Sequence, residues 1–339
     1  MPESPVTEEF ATRAGGIPVE LLSTDGYSMH PKSFVKAMRF YGRLKCDILH
    51  FNLVNPCAST VDILAARLLG NSRIVLTTHL PTITYSLREK LSSRLAIRSA
   101  HRVITVCNTA REYVLDMGVP TSKVVSVYNG VRDWDTPPGR VQEIRRELGI
   151  GESGICLGTV ARLEEQKGLR YLLKAFALVV HEDPRSVLCI LGDGSQRSEL
   201  EETALRLHVH DRVRFLGWRN DYLDFLRAFD VFVLPSLFES FPFAVVEAMM
   251  AGKPVIASDV GGVGEAVLDE LTGLLVQPRD FVTLAKAMLG LIRSSKRREA
   301  FGERARVEAR NRFGLDSMVS NTLAVYEDAM CVGRSGGRK

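Results

Sequence analysis

A chain of 339 residues is too long for one ordinary domain and suits two α/β domains. Its composition, 45% hydrophobic, 25% charged and 7% aromatic, is that of a soluble globular protein. The net charge of +4 is too small to imply a nucleic-acid partner by itself, and no apolar run approaches the roughly 18 residues that a membrane-spanning helix needs.

The opening MPESPVTEEF is acidic and polar, unlike a signal peptide. Six cysteines (Cys46, Cys57, Cys107, Cys156, Cys189 and Cys331) show no metal-type pairing, and several lie inside apolar strand patterns. They read as reduced core residues of a cytoplasmic protein.

Residues 6–14 read as the tail of a helix closed by Gly15-Gly16, with IPVELLST following as a strand. Helical and strand patterns then alternate: a helix over about 31–45, strand DILHFN, a helix to Gly70, strand RIVLTTH, a helix over about 83–99, strand RVITV, a helix over 109–117 and strand KVVSVYNG. This alternation predicts a parallel, doubly wound sheet. A complete domain of this kind opens on a strand, a glycine-rich turn and a helix N-terminus. Here that first strand and turn are not found, so the expectation is an incomplete start, either completed upstream or missing from the site.

His79 ends the strand RIVLTT at the edge where parallel sheets receive ligands, and His50 in DILHFN is a weaker candidate of the same kind. On its own, a strand-terminal histidine reads as structural. Two helices carry basic stripes: Lys32, Lys36, Arg39 and Arg43 in one, and Arg94, Arg98 and Arg102 in the other, with Arg88 and Lys90 upstream. Solvated helix faces are the plain reading. The sharper one is a surface that meets anionic lipid head groups or a phosphorylated acceptor.

TPPGR (Thr136 to Arg140) is a proline- and glycine-rich linker and the best domain boundary in the chain. Beyond it a fresh α/β series begins, with strands in ICLGTVARL, SVLCILGDG, VRFLGW, VFVLPS, PVIAS and GLLV. In GTVARLEEQKG a strand ends near Ala161, and Arg162 and Lys167 stand in a loop that Gly168 closes. Two cations at the carboxyl end of a parallel strand suit a diphosphate, although surface loops carry such pairs routinely. A loop lysine of this sort is expected to contribute little to folding. Gly192-Asp193-Gly194 allows close backbone approach at another strand end, as a common turn also does.

The densest chemistry lies from Glu239 to Gly262. VFVLPS reads as a buried parallel strand. Pro242 sits at or near the first turn of the next helix, where its missing N–H costs nothing, and Gly252 with Lys253-Pro254 ends that helix near Met250. Glu239 thus lies at the carboxyl end of a strand. Glu247 lies on the helix whose N-terminus faces the same crevice, where exposed amides suit a phosphate. Either glutamate alone reads as an ordinary surface charge. Two of them around one strand–helix junction, with Ser-Phe-Pro between, read as a polyhydroxyl-binding site. Three helices, over about 280–293, 296–310 and 315–329, precede the basic tail GRSGGRK.

The string E-S-F-P-x4-E followed by AMMAGKPVIASDVGG resembles the nucleotide-sugar signature of family-4 (group 1) glycosyltransferases of the GT-B fold. The resemblance covers nearly the whole chain, strongest from Gly158 to Gly262 and weakest before Leu22. It implies two Rossmann-like, doubly wound parallel-sheet domains with a cleft between them: an N-terminal acceptor domain over 1–135, incomplete at its start, and a nucleotide-sugar domain over 136–314. A C-terminal helix over 315–331 crosses back to the first domain. By the same likeness Arg162 and Lys167 contact the donor pyrophosphate, Gly192 approaches the nucleotide and Trp218 in FLGW flanks the base. Glu247 accepts hydrogen bonds from the ribose hydroxyls. Glu239 approaches the hexose, beside the backbone of Ser240, Phe241, Pro242 and Phe243. His79, followed by Leu80 where the family has His-Asp, shares the catalytic role with Glu239. The turn Asn129-Gly130-Val131 matches the family's, continued by Arg132 in place of Asp; it reads as structural, with a secondary role at the cleft.

The expectation is a retaining, metal-independent hexosyltransferase of polysaccharide biosynthesis, cytoplasmic or peripheral at the inner face of the membrane. It would move a hexose from a nucleotide-diphosphate sugar to a hydroxyl of a glycan or lipid-linked acceptor. No metal and no cofactor beyond the donor substrate are expected, with Arg162, Lys167 and a helix N-terminus neutralising the leaving diphosphate. The alternatives are a non-catalytic nucleotide-sugar-binding relative and an NDP-sugar epimerase of similar fold.

Overall fold

The computed structural model describes residues 31–54, 59–70, 72–79, 87–151 and 154–331, and in it the alternation resolves into two parallel sheets. The first holds β1 (Ile48–Leu53), β2 (Arg73–Thr78), β3 (Arg102–Thr105) and β4 (Val124–Ser126) in that order. Helices α1 (Pro31–Tyr41), α2 (Thr60–Leu69), α3 (Leu87–Ser99) and α4 (Asn108–Asp116) alternate with these strands. The expected helix tail and strand over 6–24, and with them the incomplete start, lie outside the described residues.

The second sheet holds β5 (Cys156–Val160), β6 (Val187–Leu191), β7 (Val213–Gly217), β8 (Val231–Leu234), β9 (Val255–Ser258) and β10 (Gly273–Val276). Its helices are α5 (Arg140–Glu147), α6 (Leu169–Glu182), α7 (Arg197–Arg206), α8 (Tyr222–Ala228), α9 (Phe243–Met250), α10 (Val263–Ala266), α11 (Phe281–Ile292) and α12 (Ser295–Phe313). Every residue of β6, β8 and β9 is buried, because helices cover both faces of the sheet. That is why these segments read as unbroken apolar runs. In α6 the covering stripe is Leu169, Leu172, Leu173, Phe176 and Val179, fully buried at three- and four-residue spacing.

The strand order is β10-β9-β8-β5-β6-β7, all parallel. β5 therefore pairs with β6 on one side and β8 on the other, and successive connections leave it in opposite directions. The crevice between the carboxyl ends of β5 and β8 is where an open parallel sheet receives a ligand.

A last helix, α13 (Leu315–Cys331), returns to the first sheet. Val325 and Ala329 pack there with Val75, Ile104 and Val127, and the Tyr326 hydroxyl meets His50 Nδ1 at 2.5 Å. Asp328 pairs with Arg102, which makes that arginine a structural ion-pair partner, whereas Lys36, Arg39, Arg43, Arg94 and Arg98 are exposed. The turn Asn129-Gly130-Val131 is tied to the α12–α13 junction. Val131 N donates to Phe313 O at 2.8 Å, Leu315 N donates to Val131 O at 3.0 Å, and a Cβ on Gly130 would meet Met318 at 2.8 Å. Among the described residues the cysteines are unpaired, and no helix is long and apolar enough to cross a membrane.

Candidate active site

Arg162 follows β5 and Glu239 follows β8, so the switch in strand order sets both at one crevice. Backbone approach there depends on glycine. Gly192 has φ +123°, and a Cβ on it would lie 1.9 Å from Ala161 O. The removal of that Cβ lets the loops after β5 and β6 meet. A cavity of about 300 Å³ opens above them, lined among others by Arg162, Gly192, Trp218, Tyr222, Phe243, Ala244 and Glu247.

Trp218 is 78% exposed at the rim of this cavity and presents an open aromatic face. Phe243 and Ala244 are the first two residues of α9, with Pro242 as its N-cap, so their amides lack intrahelical acceptors. Arg162 is exposed and also lines an adjoining cavity of about 580 Å³, together with Gln166, Leu237, Phe238 and Arg279.

One turn along α9, Glu247 Oε1 accepts from the Tyr222 hydroxyl at 2.8 Å. Burial holds the Glu247 carboxyl above the ordinary carboxylate range, and the bond from Tyr222 only partly opposes it. Burial and the adjacent carboxylate together push the Tyr222 hydroxyl up in turn. Tyr222 was not expected here: within a helical pattern an aromatic residue reads as core, and only the fold brings it to Glu247.

Glu239 is held differently. Its Oε1 accepts from Lys167 Nζ at 2.6 Å and from Ser236 Oγ at 2.7 Å, with side-chain exposures of 7% for Glu239 and 16% for Lys167. Lys167 is therefore the counter-ion of a buried carboxylate, which corrects the expectation of a loop lysine with little part in folding. Both bonds fall on Oε1, which leaves Oε2 for a further donor. Gly261, with φ +54°, presses the next turn against this loop; a Cβ there would lie 1.8 Å from Glu239 O.

Between the two glutamates, Ser240, Phe241 and Pro242 are buried. Phe241, whose backbone is the part expected beside the hexose, turns its ring away from the cavity. It packs against Tyr128 and Phe313 with ring centroids 5.2 Å from each, in the joint between the two sheets. Burying an aromatic ring removes a large apolar area from water, which outweighs any preference for the crevice. Ser240 contributes its carbonyl, which accepts from Gly262 N at 2.7 Å and Cys107 Sγ at 3.3 Å.

His79 follows β2, its amide donating to Leu53 O at 3.0 Å, and burial lowers its pKa. It is not among the residues that line the cavity. His50 is engaged by Thr77 Oγ1 at 2.7 Å as well as by Tyr326, and its pKa is lowered by burial and then by His79. His50 is a structural residue. Among the described residues, no group of three or more His, Cys, Asp or Glu side chains is arranged to hold a metal ion.

Two family models match the chain in succession: Glycosyltransferase Family 4 over residues 2–133 and Glycosyl transferases group 1 over residues 140–308. An uncharacterized glycosyltransferase of Methanocaldococcus jannaschii is 33% identical over 236 residues, 68% of this chain and 60% of that protein. This chain thus spans less than two thirds of that relative. The N-acetyl-alpha-D-glucosaminyl L-malate synthase of Bacillus anthracis is 28% identical over 300 residues, 87% of this chain and 78% of that protein. In structure, Anabaena HepE, solved in complex with UDP and glucose, superposes with a TM-score of 0.82 at 21% identity, over 96% of this chain and 90% of that one.

Proposed function

Because this chain belongs to the group 1 glycosyltransferases of the GT-B fold, with a family 4 N-terminal half, we propose that it transfers a hexose from a nucleoside-diphosphate sugar to a hydroxyl of a glycan or lipid-linked acceptor, with retention at the anomeric carbon. The observation that carries this reading is the shared cavity of Arg162, Trp218 and Glu247 at the switch point of the second sheet. A guanidinium there suits a diphosphate, an open indole suits a base, and a carboxylate suits a ribose diol.

In this reading Glu239 Oε2 accepts from a hexose hydroxyl while Lys167 and Ser236 hold Oε1. Arg162 and the free amides of α9 stabilise the charge that grows on the leaving diphosphate. The acceptor oxygen bonds to the anomeric carbon on the face from which the diphosphate leaves, and the diphosphate takes the hydroxyl proton. No protein base and no metal enter that step. His79, at the carboxyl edge of the first sheet, is assigned to the neighbourhood of the transferred sugar. A non-catalytic binder and an NDP-sugar epimerase are not favoured, since both halves of the chain match glycosyltransferase models.

The test is a panel of UDP-, GDP- and dTDP-hexoses, read for released nucleoside diphosphate and, by NMR, for the anomeric configuration of the product, with and without chelator. One donor should turn over with retention, indifferent to the chelator. An inverted product, an epimerised free donor or a chelator-sensitive rate would each sink the corresponding part of the reading.

We also assign the exposed residues Lys36 and Arg39 of α1, with Arg43 in the turn after it, to contact with an anionic membrane surface. Co-sedimentation with vesicles should rise with anionic lipid and fall with salt, whose screening length is about 8 Å at physiological strength. Changing all three residues to glutamate should abolish it. Equal binding to neutral and anionic vesicles, or binding to neither, would leave only a solvated helix face.

A further inference from the structure

The helix α4 begins in the first unit, but much of its cap comes from the second. Its first two amides, Asn108 N and Thr109 N, donate to Glu265 Oε2 and Oε1 at 2.8 Å each. The Thr109 hydroxyl adds a bond to Oε1 at 2.9 Å and the Tyr128 hydroxyl one to Oε2 at 2.9 Å. The third amide, Ala110 N, donates to Cys107 Sγ at 3.3 Å. The first turn of a helix has no intrahelical acceptors for these groups and carries a partial positive charge. A carboxylate 157 positions away in the chain supplies both the acceptors and the opposite charge. Burial pushes the Glu265 carboxyl up, but the donors from Asn108, Thr109 and Tyr128 outweigh it and hold it below the ordinary range.

Glu265 also stands at the end of a hydrogen-bonded path from the donor loop. Gly261 abuts the Glu239 carbonyl, and Gly262 N binds Ser240 O. Thr109 Oγ1 lies 3.2 Å from Gly261 O, and Cys107 Sγ closes the path back to Ser240 O. A shift of α4 relative to α10 thus moves the first sheet with respect to Glu239.

We infer that Glu265 is a positioning residue for glycosyl transfer, a clasp that sets the acceptor-bearing unit at a fixed distance and angle from the donor loop. This rests on the transfer reading above. The clasp touches neither Arg162 nor Glu247, so nucleotide binding proceeds without it, whereas attack on the anomeric carbon does not. Misplacing reacting groups by about 1 Å can lower a rate about a hundredfold.

The experiment compares wild type with Glu265→Gln, whose amide nitrogen turns a donor toward groups that are themselves donors. Calorimetry uses the nucleoside diphosphate of whichever panel donor wild type turns over, or UDP if none does, and small-angle scattering reports the spacing of the two units. The expected result is a Kd within about twofold of wild type, a kcat lowered about tenfold at saturating donor, and a wider scattering profile. Tyr128→Phe removes one of the Glu265 donors, together with the bond that the hydroxyl accepts from Asn108 Nδ2, and should lower kcat less; its loss should be non-additive with that of Glu265→Gln. Should Glu265→Gln fail to fold, Tyr128→Phe and Thr109→Val carry the same test. An unchanged kcat, or a kcat that falls only in step with nucleotide affinity, overturns the proposal. If wild type itself transfers no sugar, the transfer reading fails separately, and an unchanged scattering profile in Glu265→Gln then overturns the clasp by itself.

Discussion

Lys167→Met is expected to lower the unfolding free energy by about 3–5 kcal/mol, the usual penalty for stripping one partner from a buried ion pair. The Lys167 and Glu239 side chains are 16% and 7% exposed and 2.6 Å apart, so removing the ammonium leaves Glu239 buried with Ser236 as its one donor among the described residues. The double variant Lys167→Met/Glu239→Gln should recover most of the loss, because no uncompensated charge remains. Urea unfolding of the single and double variants checks this; equal midpoints for wild type and Lys167→Met would show the pair to be solvent-screened. The same variant is expected to bind nucleoside diphosphate more weakly by roughly 1.5–3 kcal/mol, the range for a charged hydrogen bond. Calorimetry separates the two effects: stability lost with affinity intact means that Lys167 serves Glu239 and not the diphosphate.

The fold was legible where a local pattern has one physical solution. VFVLPS and PVIAS are β8 and β9 because an apolar run between turn residues can be satisfied only inside a covered parallel sheet. Helix α9 starts after Pro242 and ends before Gly252 because proline lacks an N–H and glycine accepts a left-handed turn, here φ +74°. The placing of Arg162 after β5, Glu239 after β8 and Glu247 on α9 followed from the same element ends. What stayed hidden was set by partners distant in sequence. Phe241 sits inside the string E-S-F-P-x4-E, but its ring goes to Tyr128 and Phe313. Lys167 looks like a loop cation until the fold places Glu239 beside it. No local pattern marks Glu265, which lies in a four-residue helix, and only the meeting of the two units supplies its donors. Periodicity reports which face of an element is buried, not what lies opposite that face.

Glu247→Gln should bind nucleoside diphosphate about 10- to 100-fold more weakly, or roughly 1.5–3 kcal/mol, and yet be more stable than wild type at neutral pH. The affinity falls because a ribose diol offers two donors to a carboxylate, while the amide returns one donor of its own. The stability gain follows from the sign of the pKa shift. Burial raises the Glu247 carboxyl above its ordinary value of 4.5, so between the unfolded and folded values the native state holds a proton that the unfolded state has released. Stability is therefore greatest below the unfolded value, falls as pH rises through the folded value, and stays lowered above it. Glutamine never ionises and keeps an oxygen for the Tyr222 hydroxyl, now 2.8 Å from Glu247 Oε1, so it escapes that penalty. Urea unfolding of both proteins between about pH 4 and 8 should show two nearly coincident stabilities at the acid end, diverging in favour of the variant as pH rises. Parallel profiles would mean that the carboxylate is solvated in the native state. Unchanged nucleotide affinity would remove Glu247 from the ribose. If both halves of the expectation hold, the charge at Glu247 lowers stability in the empty protein, and the ribose supplies the hydrogen bonds that offset its burial.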